Sequence, residues 1–132
     1  MSLAYLNGNW LPLEQAQVSV LDRGFLFGDG VYEVIPVYNG RALRLEQHLQ
    51  RLHDSLAGIR LANPHSDSTW RTFITELIQR SGGGDQLLYL QITRGTAPRD
   101  HAFPSADTPA TVLLSSKPFS PPDAQRLAQG IR

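Results

Sequence analysis

The sequence predicts an α+β domain, a largely antiparallel sheet with two helices on one face. Two observations carry this. Short β-branched and aromatic runs, punctuated by Asn-Gly and glycine-rich turns, sit at both ends of the chain. Between them lie two longer segments whose apolar residues recur at helical spacing, so the order is strands, two helices, then strands.

Taken from the N-terminus, Tyr5 to Leu11 reads as a hairpin, with Asn7-Gly8 supplying the positive-φ positions of a tight turn. Ala16 to Leu21 is a short strand candidate. Asp22 to Gly30, with three glycines and two aspartates, is turn-rich and cannot be a regular strand. Val31 to Tyr38 is a strand, and Asn39-Gly40 turns it into Arg41 to Arg44. Leu45 to Arg60 is a helix, because Leu45, Leu49, Leu52, Leu56 and Ile59 form one stripe. Asp67 to Arg80 is a second, with Trp70, Phe73, Ile74, Leu77 and Ile78 as its buried face, Ser66 or Asp67 as cap and Gly82 to Gly84 as stop. Gln86 to Thr93 and Thr111 to Ser115 are strands. Prolines then punctuate Pro118 to Pro122.

The 132 residues suit one domain that buries about two thirds of its unfolded surface. Twelve basic residues balance twelve acidic ones, which argues against a nucleic-acid or membrane-surface binder driven by bulk charge. There is no cysteine, so disulfides and thiolate metal sites are excluded. The four histidines form no HExxH pattern, no GxSxG elbow occurs, and no glycine-rich nucleotide fingerprint follows a strand. The N-terminus has no signal-peptide pattern, and no segment approaches a membrane span. A cytoplasmic protein is the expectation. Lys117 is the single lysine.

The most distinctive segment is Arg94 to Pro104, RGTAPRDHAFP. Arg99 and His101 stand two apart in a loop restricted by Pro98 and Pro104. Such a pair suits a small acid, since the guanidinium fork matches a carboxylate and histidine adds a donor. A solvated basic loop is the commoner fate of such a segment, and both readings stand on the loop alone. Alternation puts Tyr32, Val34 and Tyr38 on one strand face and Val31, Glu33, Ile35 and Val37 on the other. Tyr32 meets the glycine segment, so its hydroxyl suits either a pocket mouth or the core. On the first helix His48 and Arg51 flank the apolar stripe, either as a phosphate clamp or as a solvated edge. Arg94 ends its strand and is given a structural role, pairing with a carboxylate at the domain edge.

Together, DRGFLFGDGVYE (Asp22 to Glu33), HLQRL (His48 to Leu52) and RGTAPRDHAFP resemble the class IV aminotransferases, the pyridoxal-phosphate enzymes of fold type IV. The resemblance runs from about Tyr5 to Lys117, and the last motif is similar to that of the D-amino-acid (D-alanine) aminotransferases. It implies that Arg51 holds the cofactor phosphate, and that Arg99 and His101 bind the substrate α-carboxylate with Tyr32 beside them. It implies a homodimer acting on a D-amino acid and a 2-oxo acid. Branched-chain aminotransferase or aminodeoxychorismate lyase chemistry is the alternative within the family, and a non-catalytic domain binding small carboxylates or a protein partner is the alternative outside it. The resemblance also implies that residues 1–118 are an N-terminal small domain and 119–132 the start of a linker toward a second domain, which supplies the Schiff-base lysine. Lys117, before Pro118, is no substitute. The chain alone is therefore expected to bind pyridoxal phosphate weakly or not at all and to be inactive.

Overall fold

A computed structural model describes residues 2–130; Met1 and the last two residues of the expected linker lie outside them. Six strands form one antiparallel sheet: β1 (Leu3–Leu6), β2 (Asn9–Pro12), β3 (Gly30–Tyr38), β4 (Arg41–Ala42), β5 (Gln86–Thr93) and β6 (Thr111–Pro118), in the order β2-β1-β6-β5-β3-β4. The helices are α1 (Arg23–Phe27), α2 (Leu45–Gly58), α3 (Asp67–Arg80) and α4 (Ala124–Gln129). This is the α+β architecture the sequence predicts.

The β1–β2 turn follows from Asn7 and Gly8, at φ 49° and 96°, the left-handed pair that matches the twist of a hairpin. Asn7 also accepts the Val112 N–H through Oδ1 at 2.7 Å, tying the turn to β6. The long β3–β5–β6 ladder pairs Val34 with Tyr89 and Tyr89 with Ser115. Its inner face presents Ile35, Val37, Leu88, Leu90, Ile92 and Leu114 to the leucine stripe of α2 and to Trp70, Ile74 and Leu77 of α3. All are buried, and this single core carries most of the apolar area removed from water. Gln86 closes one end: its amide donates to the Gly83 carbonyl past α3 and to the Ile78 carbonyl in its last turn, while it accepts from Ser116.

The first long helix stops two residues early. Arg60 is left-handed (φ 55°), and the Arg60 and Leu61 N–H groups return to the Ala57 and Leu56 carbonyls, a Schellman closure. Arg94 then donates to the Ile59 and Arg60 carbonyls at 2.6 and 3.3 Å, a cation placed where the helix dipole favours one. The second long helix has the expected bounds and Ser66 as cap.

Three expectations change. Ala16 to Leu21 is not a strand: the alternating Val18 and Val20 are 52% and 71% exposed and no strand lies beside them. The glycine segment contains α1, capped by Asp22 and closed by left-handed Gly28. Helix α4 forms after the prolines, capped by Asp123. Tyr32, Val34 and Tyr38 share the outer face of the sheet, where Tyr32 is 63% exposed and the other two are partly covered. No helix among the described residues is long and apolar enough to cross a membrane.

Candidate active site

Strand β3 turns Glu33 inward with Ile35 and Val37, onto the core face. An acid there must be paired. Helix α2 brings both partners, because His48 and Arg51 are one turn apart at the edge of its stripe. His48 Nδ1 meets Glu33 Oε1 at 2.6 Å. Arg51 donates Nε to Oε2 at 2.8 Å and Nη2 to Oε1 at 2.9 Å. The carboxylate is buried while the Arg51 side chain is 65% exposed. Its hydrogen bonds to Glu33 hold the guanidinium pKa above its usual value. Nη1 has no hydrogen-bond partner among the described residues and stays available to an anion.

The glycine segment is organised by two aspartates. Asp22 is buried, and Oδ1 accepts from Gly24 N–H and Thr93 hydroxyl, each at 2.8 Å, while Oδ2 accepts from Thr111 at 2.6 Å. It thereby caps α1 and ties it to β5 and β6. Asp29 Oδ2 receives the Nε of both Arg23 and Arg94 at 2.8 Å. Burial pushes the Asp29 carboxyl up, but hydrogen bonds and charge from Arg94 and Arg23 outweigh it and hold its pKa below the usual carboxylate range. Arg94 therefore has the carboxylate partner expected of it. A recess of about 150 Å³ beside this segment is lined by Gly24, Gly28, Gly30, Val31, Tyr32 and Gln91.

The loop after β5 lies over α1. Arg23 Nη1 donates to the Asp100 carbonyl at 2.7 Å and the Ala102 carbonyl at 3.3 Å. The Phe27 ring sits 4.8 Å from the Arg23 guanidinium, 5.4 Å from that of Arg99 and 5.5 Å from the His101 ring. Arg99 and His101 are thus brought together, exposed, around one phenyl ring. Tyr32 stands apart: its ring packs 5.9 Å from Tyr89 on the outer sheet face, and no hydrogen bond or ring contact joins it to Arg99 or His101 in this chain. The sequence places Arg23, Phe27, Asp29 and Glu33 within one motif but assigns none of them a role. The available signal was Glu33 itself, a charged side chain in phase with core positions.

The sequence profile described as "Amino-transferase class IV" matches residues 30–132. The chain is 39% identical to a D-alanine aminotransferase of Bacillus licheniformis over 91% of this chain and 42% of the relative. It is 36% identical to one of Listeria monocytogenes, over 95% and 44%. Among solved structures, the 4-amino-4-deoxychorismate lyase from Pseudomonas aeruginosa superposes with a TM-score of 0.79 at 29% identity, over 98% of this chain and 44% of that one. A branched-chain aminotransferase from Thermoproteus uzoniensis gives 0.78 at 25%, over 91% and 42%. The chain thus spans less than half the length of the relatives it matches. Profile, relatives and fold agree, and the chain belongs to the class IV aminotransferases.

Proposed function

We propose that this chain is the N-terminal part of a pyridoxal-phosphate-dependent D-amino-acid aminotransferase, which moves an amino group between a D-amino acid such as D-alanine and a 2-oxo acid. The observation that carries the reading is the pairing of Arg99 and His101 around Phe27 on a loop held by its main chain. Two donors on one anchored loop can fix both oxygens of a carboxylate, and that sets where the substrate Cα–H points. The relatives named D-alanine aminotransferase favour this substrate class over the branched-chain enzymes and lyases that share the fold.

The residues present fit a phosphate. Glu33 occupies Nε and Nη2 of Arg51, and Nη1 has no partner among the described residues on a side chain 65% exposed, so a held guanidinium edge is offered to a dianion. Pyridoxal phosphate supplies an electron sink when bound. Arg51 anchors its phosphate, Tyr32 lines the neighbouring recess, and Arg99 with His101 orient the substrate. Lys117 is exposed near the end of β6, where nothing desolvates its amine. The chain alone is therefore read as inactive, with the catalytic lysine supplied from outside these 132 residues. The working protein is read as a cytoplasmic homodimer.

The test is to assay Arg99→Ala and Arg51→Ala in the full-length enzyme with D-alanine, L-alanine and added cofactor. Arg99→Ala removes a charge-assisted contact of about 1.5–3 kcal/mol, so kcat/KM for D-alanine should fall by about one to two decades and excess cofactor should not restore it. Arg51→Ala should weaken cofactor retention for every substrate. An unchanged kcat/KM in Arg99→Ala, or its rescue by cofactor, refutes the carboxylate role.

A further inference from the structure

We propose that Arg23, oriented by Asp29, is a positioning residue that sets the conformation of the substrate-binding loop from beneath. This rests on the reading of Arg99 and His101 as carboxylate ligands and names what holds them. The two ligands alternate with Asp100 and Ala102, the residues whose carbonyls Arg23 grips. A guanidinium bonded to the carbonyls of the two residues that flank His101 pins the chain on both sides of it and so fixes the direction in which that side chain leaves the loop. Arg23 is 95% buried, so this grip is made away from solvent.

The anchor has two sides. Asp29 receives Nε of Arg23 and turns its Nη1 edge toward the loop; the same oxygen receives Nε of Arg94. The Arg94 guanidinium lies 3.8 Å from the centroid of Phe103, two residues past His101. One largely buried carboxylate thus orients two arginines, one under residues 100 and 102 and one against residue 103. The main chain reinforces them: Arg23 N–H donates to Gly95 O at 2.8 Å, and Arg94 N–H to Asp29 O at 3.1 Å. Among the described residues, the N–H groups of 96–104 make one weak internal bond, Ala102 to Asp100 Oδ1, and one to the chain before α1, Ala97 to Leu21 O, each at 3.4 Å. The loop's geometry therefore comes from below.

A loop held this way should resist local opening, and should loosen alone when the anchor is cut. Limited proteolysis with thermolysin, mapped by mass spectrometry on the full-length holoenzyme, compares wild type with Arg23→Gln, which is too short to span the two carbonyls. Cleavage within 96–104 should rise about tenfold or more while 86–93 and 111–118 stay uncut. Arg23→Lys keeps the charge against Asp29 but has no fork. It serves where Arg23→Gln fails to fold, and should loosen the same segment. If 96–104 is cut as in wild type in the folded variant, the positioning role is overturned. Substrate kinetics give the second readout. Arg23→Lys should raise KM for D-alanine about tenfold, with cofactor retention unchanged. A loosened loop with an unchanged KM would instead refute the assignment of Arg99 and His101 while the anchor stands.

Discussion

Replacing Asp22 by alanine should cost about 3 kcal/mol of stability, although the residue touches neither Arg99 nor Arg51. Its carboxylate accepts three hydrogen bonds in a site where the residue is 2% exposed. Alanine leaves the Gly24 N–H without its cap, worth about 1 kcal/mol. It also leaves two buried threonine hydroxyls without their acceptor, at about 1 kcal/mol or more each. Loss of the carboxylate's own desolvation cost trims the total, and rotation of the hydroxyls trims it further. Domains of this kind are stable by about 5–15 kcal/mol, so the loss is a large fraction. Thr111→Val removes the one bond to Oδ2 and keeps the shape, and should cost about 1.5–3 kcal/mol because it leaves a buried carboxylate oxygen without its donor. Urea unfolding followed by tryptophan fluorescence measures both, because Trp70 is fully buried in the core with its indole N–H on Asn63. The midpoint should fall with an unchanged slope. If Asp22→Ala stays within about 1 kcal/mol of wild type, the buried network does not hold α1 in the way the geometry implies.

Two further outcomes can be checked on the same material. His65 packs edge-on against Trp70 and Phe73 at 4.9 and 5.0 Å, and burial pushes its pKa below the ordinary value. The unfolded chain takes up that proton near pH 6.5 and the folded chain only lower, so this contribution is full above about 6.5 and lost as pH falls from there toward the folded value. His65→Phe should lose less stability than wild type in urea titrations between about pH 7.5 and 5.5; an equal loss counts against the reading. Val20 and Phe25, both more than 70% exposed, and Tyr32, at 63%, put large apolar side chains into solvent, and such exposure favours association. Sedimentation should show dimers or larger species, and Phe25→Asp should shift them toward monomer; a monomer at every concentration would overturn this.

The elements that sequence legibility reached are those with a sustained helical period or a long run of strand-forming residues. The stripes of α2 and α3 repeat over several turns, so burial has one solution, and β3 and β5 are apolar runs rich in β-branched, aromatic and leucine side chains. Ala16 to Leu21 is a shorter run, and a strand exists only where another offers its edge, a condition set by the rest of the fold. Helix α1 spans five residues; its signal lay in the Asp22 cap and the closing Gly28 rather than in hydrophobicity. For the site, Arg51, Arg99, His101 and Tyr32 came from motifs and spacing. Their partners lay in the motif DRGFLFGDGVYE, but their pairings could not be read from it. Glu33, Asp29 and Arg23 act through distances between residues far apart in sequence, and spacing along the chain does not encode these. The pairing of Glu33 with Arg51 turns a helix-edge arginine, which could equally have been solvated, into one with a fixed edge.

The grip of Arg23 on the carbonyls of residues 100 and 102 has a consequence for how such a site can change over generations. Every amino acid brings the same carbonyl, so the clamp is indifferent to which side chains the loop displays. Positions 99 and 101 can then drift, trading one recognition chemistry for another, without renegotiating how the loop is mounted. A mount that reads only backbone acts as an interchangeable fitting. Descendants of one ancestral chain could acquire different substrate preferences through a few exposed substitutions, and the buried ions beneath would stay as they are.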